Sequence, residues 1–288
     1  MTDEPEPADG TALVELALGW AREAGDLTLG HFRDPELTVD SKGDGTPVTV
    51  ADREAEALLR DRISSTFPSD GILGEEQGGD EGTSGMRWVI DPIDGTKAFS
   101  HGVATYSNLL ALTDDEGTRL GIINLPALGE TLWAIRGSGC WFNGRRMPPA
   151  NPKPSPAPGV THGGAQSNDR TTALARPLAG RILCVSGFHD WTGELHDRVA
   201  DAGVLVRTWG DAYGYALVAT GRADAMFDPE LEWWDLAAPS LVVREAGGVV
   251  TSRSGSADLR PPPGSGPYAH SAIASRGGAH QAWLDLLS

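Results

Sequence analysis

Cysteine, lysine and long apolar runs are all scarce in this chain of 288 residues, and each shortage excludes something. Its two cysteines, Cys140 and Cys184, make neither a disulfide framework nor a CxxC pair able to hold zinc. The cytoplasm is the expected compartment. No apolar stretch approaches the roughly 20 residues that cross a bilayer, so a membrane span is excluded. The opening MTDEPEPADG has neither the basic region nor the apolar core of a secretory signal, and residues 1–10 read as a disordered tail. Positive charge is short as well: 23 Lys plus Arg face 40 Asp plus Glu, for a formal charge of -17. Such a balance repels nucleic-acid backbones and anionic lipid surfaces, so neither is an expected partner.

What is present is enough chain for two modest domains at about 150 residues each. Apolar residues at Leu13, Leu16, Ala17, Trp20, Ala24 and Leu27 recur at spacings of three and four, which predicts an amphipathic helix over 11–32. Thr49 to Asp52 has the form of a capping box, opening a second helix through Ala55, Leu58, Leu59 and Ile63, with Asp52 in its first turn. Strands follow at 87–91, 106–113, 120–124 and 131–135, separated by turn residues; the run from Tyr106 to Phe142 predicts an antiparallel meander. Residues 148–160 form a Pro-rich connector that cannot be regular helix or central strand. Beyond it, strands and helices alternate. The expected organisation is an α+β metal-binding half (11–147), the connector, and an α/β half (161–288).

The strongest local signal is Asp91-Pro92-Ile93-Asp94-Gly95-Thr96, placed after an apolar strand. Two carboxylates three apart, with a stiffening Pro between them, can converge on a divalent cation. A helix starting at Gly95 and Thr96 would add backbone N–H donors for an anion beside them. In isolation this string is turn chemistry, and Asp52, Glu75, Glu76 and Asp235 each read alone as a cap or a solvated charge. No GxSxG elbow and no GxxxxGK[ST] loop offers an alternative chemistry. Cys140 sits in an expected hairpin and reads as structural; His189 and His196 are assigned no role.

Together, and in this order, TPVTVADREAE, GEE, WVIDPIDGTKAF and WWDLAA resemble the signatures of the inositol monophosphatase superfamily of magnesium-dependent, lithium-sensitive phosphatases, over about residues 11–288. Within it, GTK before Phe99 and the run WGDAYGYALVATGRADAMFDPELEWWDLAA look most like bacterial histidinol-phosphate phosphatases. The sequence departs from that subgroup at Ser100-His101-Gly102, where an Arg is more usual, and at Tyr106-Ser107-Asn108, where a Trp is.

The resemblance implies a layered αβαβα sandwich and two to three Mg²⁺ ions. Glu75, Asp91 and the Ile93 carbonyl would hold one ion, and Asp91, Asp94 and Asp235 a second. Glu75, with Asp52 acting through water, would hold a weaker third. Asp52 and Thr96 would orient the attacking water, the backbone of Gly95 and Thr96 would cradle phosphate, and Asp211 and Asp228 would select the leaving alcohol. It further implies a homodimer acting on a small phosphorylated metabolite. The reading that follows is hydrolysis of L-histidinol phosphate in histidine biosynthesis. Its rivals are an inositol monophosphatase or broad sugar or nucleotide phosphatase, and a catalytically inactive member serving as a binding subunit. Five site carboxylates against three Mg²⁺ would leave about +1 at the site of a strongly acidic protein.

Overall fold

The computed structural model describes residues 10–43, 45–148, 177–188, 191–261 and 270–288. Residues 1–9 of the expected tail, 149–160 of the expected connector and His189 lie outside them. Gly10, expected in the tail, instead opens α1 (Gly10–His31).

α1 packs against α2 (Val50–Thr66), and the two cover one face of an eight-stranded sheet. That sheet contains β3 (Asp70–Gly74), β4 (Gly78–Gly82), β5 (Arg87–Asp94), β6 (Ser107–Asp114), β7 (Gly117–Leu125), β8 (Glu130–Ile135), β9 (Gly139–Phe142) and β10 (Arg145–Arg146), in the order β10-β9-β8-β7-β6-β5-β3-β4. β6 to β9 form the expected antiparallel meander, which β5 and β10 extend at either end, while β3 joins β5 in parallel.

Side chains alternate across a strand. In β5, Trp88 and Ile90 therefore enter the core under α1 and α2, where Trp20 and Trp88 meet edge to face at 5.5 Å, while Val89 enters the core on the opposite side. Full burial of each such side chain contributes about 1.5–3 kcal/mol.

The second sheet has β11 (Ile182–Val185), β12 (Leu205–Arg207), β13 (Ala225–Leu231), β14 (Val249–Thr251) and β15 (His270–Ser275), in the order β12-β11-β13-β15-β14. β11, β12 and β13 run parallel and β15 runs against β13, so this half is a mixed sheet. α4 (Gly193–Asp201) and α7 (His280–Leu287) cover its outer face through Leu195, Val199, Trp283 and Leu287. Between the two sheets lie α5 (Asp211–Thr220) and α6 (Trp233–Glu245). The layers are thus αβαβα.

α6 is apolar nearly all round, as a helix between two sheets must be. Its approach to the first sheet is set by Gly121 on β7, where a Cβ would stand 2.8 Å from the Ala238 carbonyl oxygen and 3.0 Å from the Ala238 Cα. At its far end Glu245 accepts the N–H groups of Gly137 and Gly139, both at 2.7 Å, tying the β8–β9 turn to the helix.

Three elements differ from expectation. The strand predicted to stop at Asp91 continues to Asp94. A short ribbon, β1 (Val39–Ser41) with β2 (Pro47–Thr49), precedes α2. β4, GGDEG, is exposed throughout and gives no apolar signal; it exists because it pairs with β3. Buried Cys140 and Cys184 sit on β9 and β11, where burial pushes both thiols up to about 12. No helix is long and apolar enough to cross a membrane among the described residues.

Candidate active site

In a regular strand residues three apart face opposite sides. Asp91 pairs with Leu109 and Asp94 with Ser107, so β5 holds one residue more than β6 across this interval. This bulge reverses the alternation and brings both carboxylates to one side. Pro92, which has no N–H to lose, sits within it, and Asn108 Nδ2 donates to the Pro92 carbonyl at 2.7 Å.

The third carboxylate arrives from the middle layer. Asp235 lies in the first turn of α6, where its Oδ2 accepts the Glu232 N–H at 2.7 Å. Ligand oxygens of Asp91, Asp94 and Asp235 all fall within 4.8 Å of one another. No Lys or Arg forms an ion pair with any of the three among the described residues. Asp94 spends Oδ2 on the Ser107 hydroxyl and the Ala212 N–H, both at 2.8 Å. The buried Oδ1 of Asp91 has no hydrogen-bond partner among the described residues.

The carboxyls of Asp91, Asp94 and Asp235 are all raised. Burial pushes Asp91 well above its usual range, helped by the charges of Glu75, Asp94 and Asp235. Asp94 moves the same way through burial and the charges of Asp211 and Asp235. Asp235 reaches about 8 through burial first, with the Glu232 N–H opposing. Such a set of oxygen donors, short of positive charge and with one oxygen orphaned, fits a hard divalent cation.

Asp52 is fully buried in the first turn of α2. Its Oδ2 accepts the Thr49 N–H at 2.7 Å and the Thr49 hydroxyl at 2.5 Å, and its Oδ1 lies 3.3 Å from the Thr96 hydroxyl. The same Thr96 hydroxyl is 3.0 Å from the Ile93 carbonyl oxygen. Burial raises the Asp52 carboxyl, against the Thr49 hydrogen bonds.

Glu75 lies outside the group of three. Its Oε1 is 2.6 Å from Lys42 Nζ, which also pairs with Glu76 at 2.6 Å. Burial opposes the charge on Lys42, but the two carboxylates outweigh it and hold the ammonium above its ordinary value; Glu76 is pushed by burial up to about 7.

Sequence reasoning missed two side chains that shape this corner. Lys42 is one; the signal was a lysine in a glycine-rich loop of a chain with so few. The other is Glu56, fully buried on α2, which accepts the N–H groups of Glu76 at 2.8 Å and Gln77 at 3.1 Å and so fixes the turn carrying Glu75. It lies four residues after Asp52, on the same helix face.

Gly95 caps α3 (Thr96–Ser100) with φ 80, a left-handed conformation suited to glycine. A Cβ there would stand 2.9 Å from Asp211 Oδ2, so the Asp211 carboxylate lies directly over Gly95. Asp228, on β13, is 5% exposed; its Oδ1 accepts the Ser186 hydroxyl at 2.5 Å. The structure therefore brings Asp91, Asp94 and Asp235 together, sets Thr96 on Asp52 and Asp211 on Gly95, and leaves Glu75 with Lys42 and Asp228 beneath the surface.

A profile of the Inositol monophosphatase family matches residues 9–285. The chain belongs to that family. As a family member it is a phosphomonoester hydrolase. It is 42% identical over 239 residues to a histidinol-phosphatase of Chlorobaculum parvum, covering 82% of this chain and 83% of that one. With a histidinol-phosphatase of Mycobacterium tuberculosis it shares 36% identity over 277 residues, covering 95% and 96%. Among solved structures it resembles an inositol monophosphatase (IMPase) of Thermotoga maritima, with a TM-score of 0.76, 28% identity and 96% of each chain covered.

Proposed function

We propose that this family member hydrolyses L-histidinol phosphate with magnesium, and that Asp91, Asp94 and Asp235 hold the cation. The observation that carries the reading is their convergence within 4.8 Å, without a cationic side chain paired to any of them among the described residues. Glu75 and the Ile93 carbonyl are the further oxygens we assign to the metal set. When bound, the cation supplies positive charge for the phosphate dianion and for the oxygens entering and leaving phosphorus.

The protein's own groups supply the rest. Asp52, its carboxyl raised by burial, stands behind the Thr96 hydroxyl and draws its proton inward. The lone pairs of Thr96 are then free to orient a water for attack, with Asp52 as the proton's destination. Gly95 and Thr96 open α3, where backbone N–H groups have no partner one turn back, and we assign them to the phosphate oxygens. The Asp211 carboxylate over Gly95 gives the leaving group an anionic neighbour, which favours an ammonium-bearing alcohol over a neutral polyol by charge-assisted hydrogen bonding. The histidinol-phosphatase names of the relatives at 42% and 36% identity support the same substrate.

A second reading, a phosphatase of inositol or sugar phosphates, is favoured by a relative in Thermotoga maritima named fructose-1,6-bisphosphatase/inositol-1-monophosphatase, at 32% identity. Phosphate release from histidinol phosphate, myo-inositol 1-phosphate, fructose 1,6-bisphosphate and adenosine 3′,5′-bisphosphate, with and without Mg²⁺ and with Li⁺, separates the two. Magnesium-dependent, lithium-inhibited release fastest from histidinol phosphate is expected; fastest release from another substrate refutes that choice. Release from none refutes the phosphatase reading.

A further inference from the structure

Asp211 is a non-glycine residue with φ 56, at the first position of α5. Left-handed backbone is uncommon outside glycine and persists where surrounding contacts determine it. Two such contacts are present. The Asp211 N–H donates to Ser186 Oγ at 2.9 Å, and the next N–H, of Ala212, donates to Asp94 Oδ2 at 2.8 Å. The first two N–H groups of the helix are therefore both held, one by the hydroxyl of the residue after β11 and one by a carboxylate of the cluster.

Ser186 is held in turn. It follows β11, whose Val185 pairs with Phe227, so the next residues along the parallel strands, Ser186 and Asp228, are neighbours. The Ser186 hydroxyl has one proton, given to Asp228 Oδ1 at 2.5 Å, which fixes its lone pairs toward the Asp211 N–H. The backbones of 186 and 210 also touch: a Cβ on Gly210 would lie 2.3 Å from the Ser186 Cα, so only glycine fits before Asp211. Asp228, 5% exposed, already spends an oxygen on this serine.

We infer that Ser186 is a positioning residue which, locked by Asp228, holds Asp211 in its left-handed conformation so that the Asp211 carboxylate lies over Gly95 and faces the ammonium of the substrate. This rests on the reading of the site as an amino-alcohol phosphatase.

The test compares KM and kcat for histidinol phosphate and for β-glycerophosphate, which has no ammonium, in the full-length Mg²⁺-loaded protein. Ser186→Ala should raise KM for histidinol phosphate about tenfold, the equivalent of one lost charge-assisted contact. Its KM ratio, histidinol phosphate over β-glycerophosphate, should rise at least about fivefold. In an Asp211→Asn background the same Ser186→Ala change should move that ratio by less than about twofold, because both substitutions remove one interaction. An unchanged ratio for Ser186→Ala, or an equal further rise in the Asp211→Asn background, overturns the inference. Ser186→Thr keeps the hydroxyl and should restore the ratio; if Ser186→Ala does not fold, an unrestored ratio in Ser186→Thr beside a raised one in Ser186→Cys decides against it. Failure of the parent protein to release phosphate from either substrate counts instead against the phosphatase reading.

Discussion

Gly121→Ala is the substitution through which packing far from the chemistry should reach it. The added methyl would stand 2.8 Å from the Ala238 carbonyl oxygen and 3.0 Å from the Ala238 Cα, and both are backbone atoms of α6 that cannot rotate away. Ordinary contact resumes near 3.4 Å, so the helix must retreat by about 0.6 Å. Overpacking of this kind costs about 1–3 kcal/mol, and at about 2–4 °C per kcal/mol in a domain of this size the melting temperature should fall by roughly 5 °C. Asp235 lies one turn before Ala238 and moves with the same helix, while Asp91 and Asp94 remain on β5. Constellations of this sort tolerate about 0.5 Å, and a 1 Å misplacement costs about a hundredfold, so kcat/KM should drop about tenfold and the Mg²⁺ midpoint should rise. Differential scanning fluorimetry and phosphate release across a Mg²⁺ titration measure both quantities. A melting temperature lowered as expected, with midpoint and kcat/KM unchanged, would refute the reasoning, because α6 would then not carry Asp235 as a rigid body. Gly19→Ala in α1, where nothing among the described residues lies within 4 Å, is the matched control and should stabilise by about 0.5–1 kcal/mol.

Three further outcomes are expected. Thr96→Val keeps the shape but loses the hydroxyl shared with Asp52, and should lower kcat by about 10²–10⁴ with little change in KM; retained kcat in a steady-state assay excludes the proton path. Adding Mg²⁺ at a hundred times its dissociation constant should stabilise the protein by about 2.7 kcal/mol, and Asp235→Asn should remove most of that gain; an equal thermal shift in the variant places the cation elsewhere. Burial raises the Asp228 carboxyl from 3.8 to about 7, so the folded protein holds a proton that the unfolded chain has released. Its contribution to stability is complete below pH 3.8, is lost as pH rises through 7, and amounts to a few kcal/mol at 1.36 per unit. Asp228→Asn should therefore flatten the melting temperature between pH 4 and 7, and should raise KM for histidinol phosphate more than for inositol phosphate. Parallel pH curves for parent and variant would show that Asp228 does not titrate there.

The strands and helices that carry the carboxylates were legible because periodicity and caps are local: Asp52 stands in the first turn of α2, and the β6–β9 meander runs as its alternation predicts. The bulge was not. DPID reads as turn chemistry, and the pairing of Asp91 with Leu109 and Asp94 with Ser107 that keeps it in the strand is a relation between two segments. The same holds for the contacts that organise the site. Lys42 meets Glu75 across 33 residues, Ser186 meets Asp228 across 42 and Ala212 meets Asp94 across 118. Those separations leave no mark in any local window, and β4, exposed and made of Gly, Asp and Glu, had no apolar pattern to read.

α6 lies between the two sheets and brings Asp235 to the two acids on β5, so the cluster is complete only when both sheets have closed on one helix. Cation capture, as proposed for this cluster, would then report on assembly. A nascent chain that has folded β5 but not yet delivered Trp233 to Glu245 has two of the three carboxylates, and a chain with the second sheet misdocked has the third in the wrong place. With magnesium bound as proposed, neither could draw on ligand binding for stability, so the fully assembled molecule alone would receive that reinforcement and incomplete forms would remain the more easily unfolded and degraded.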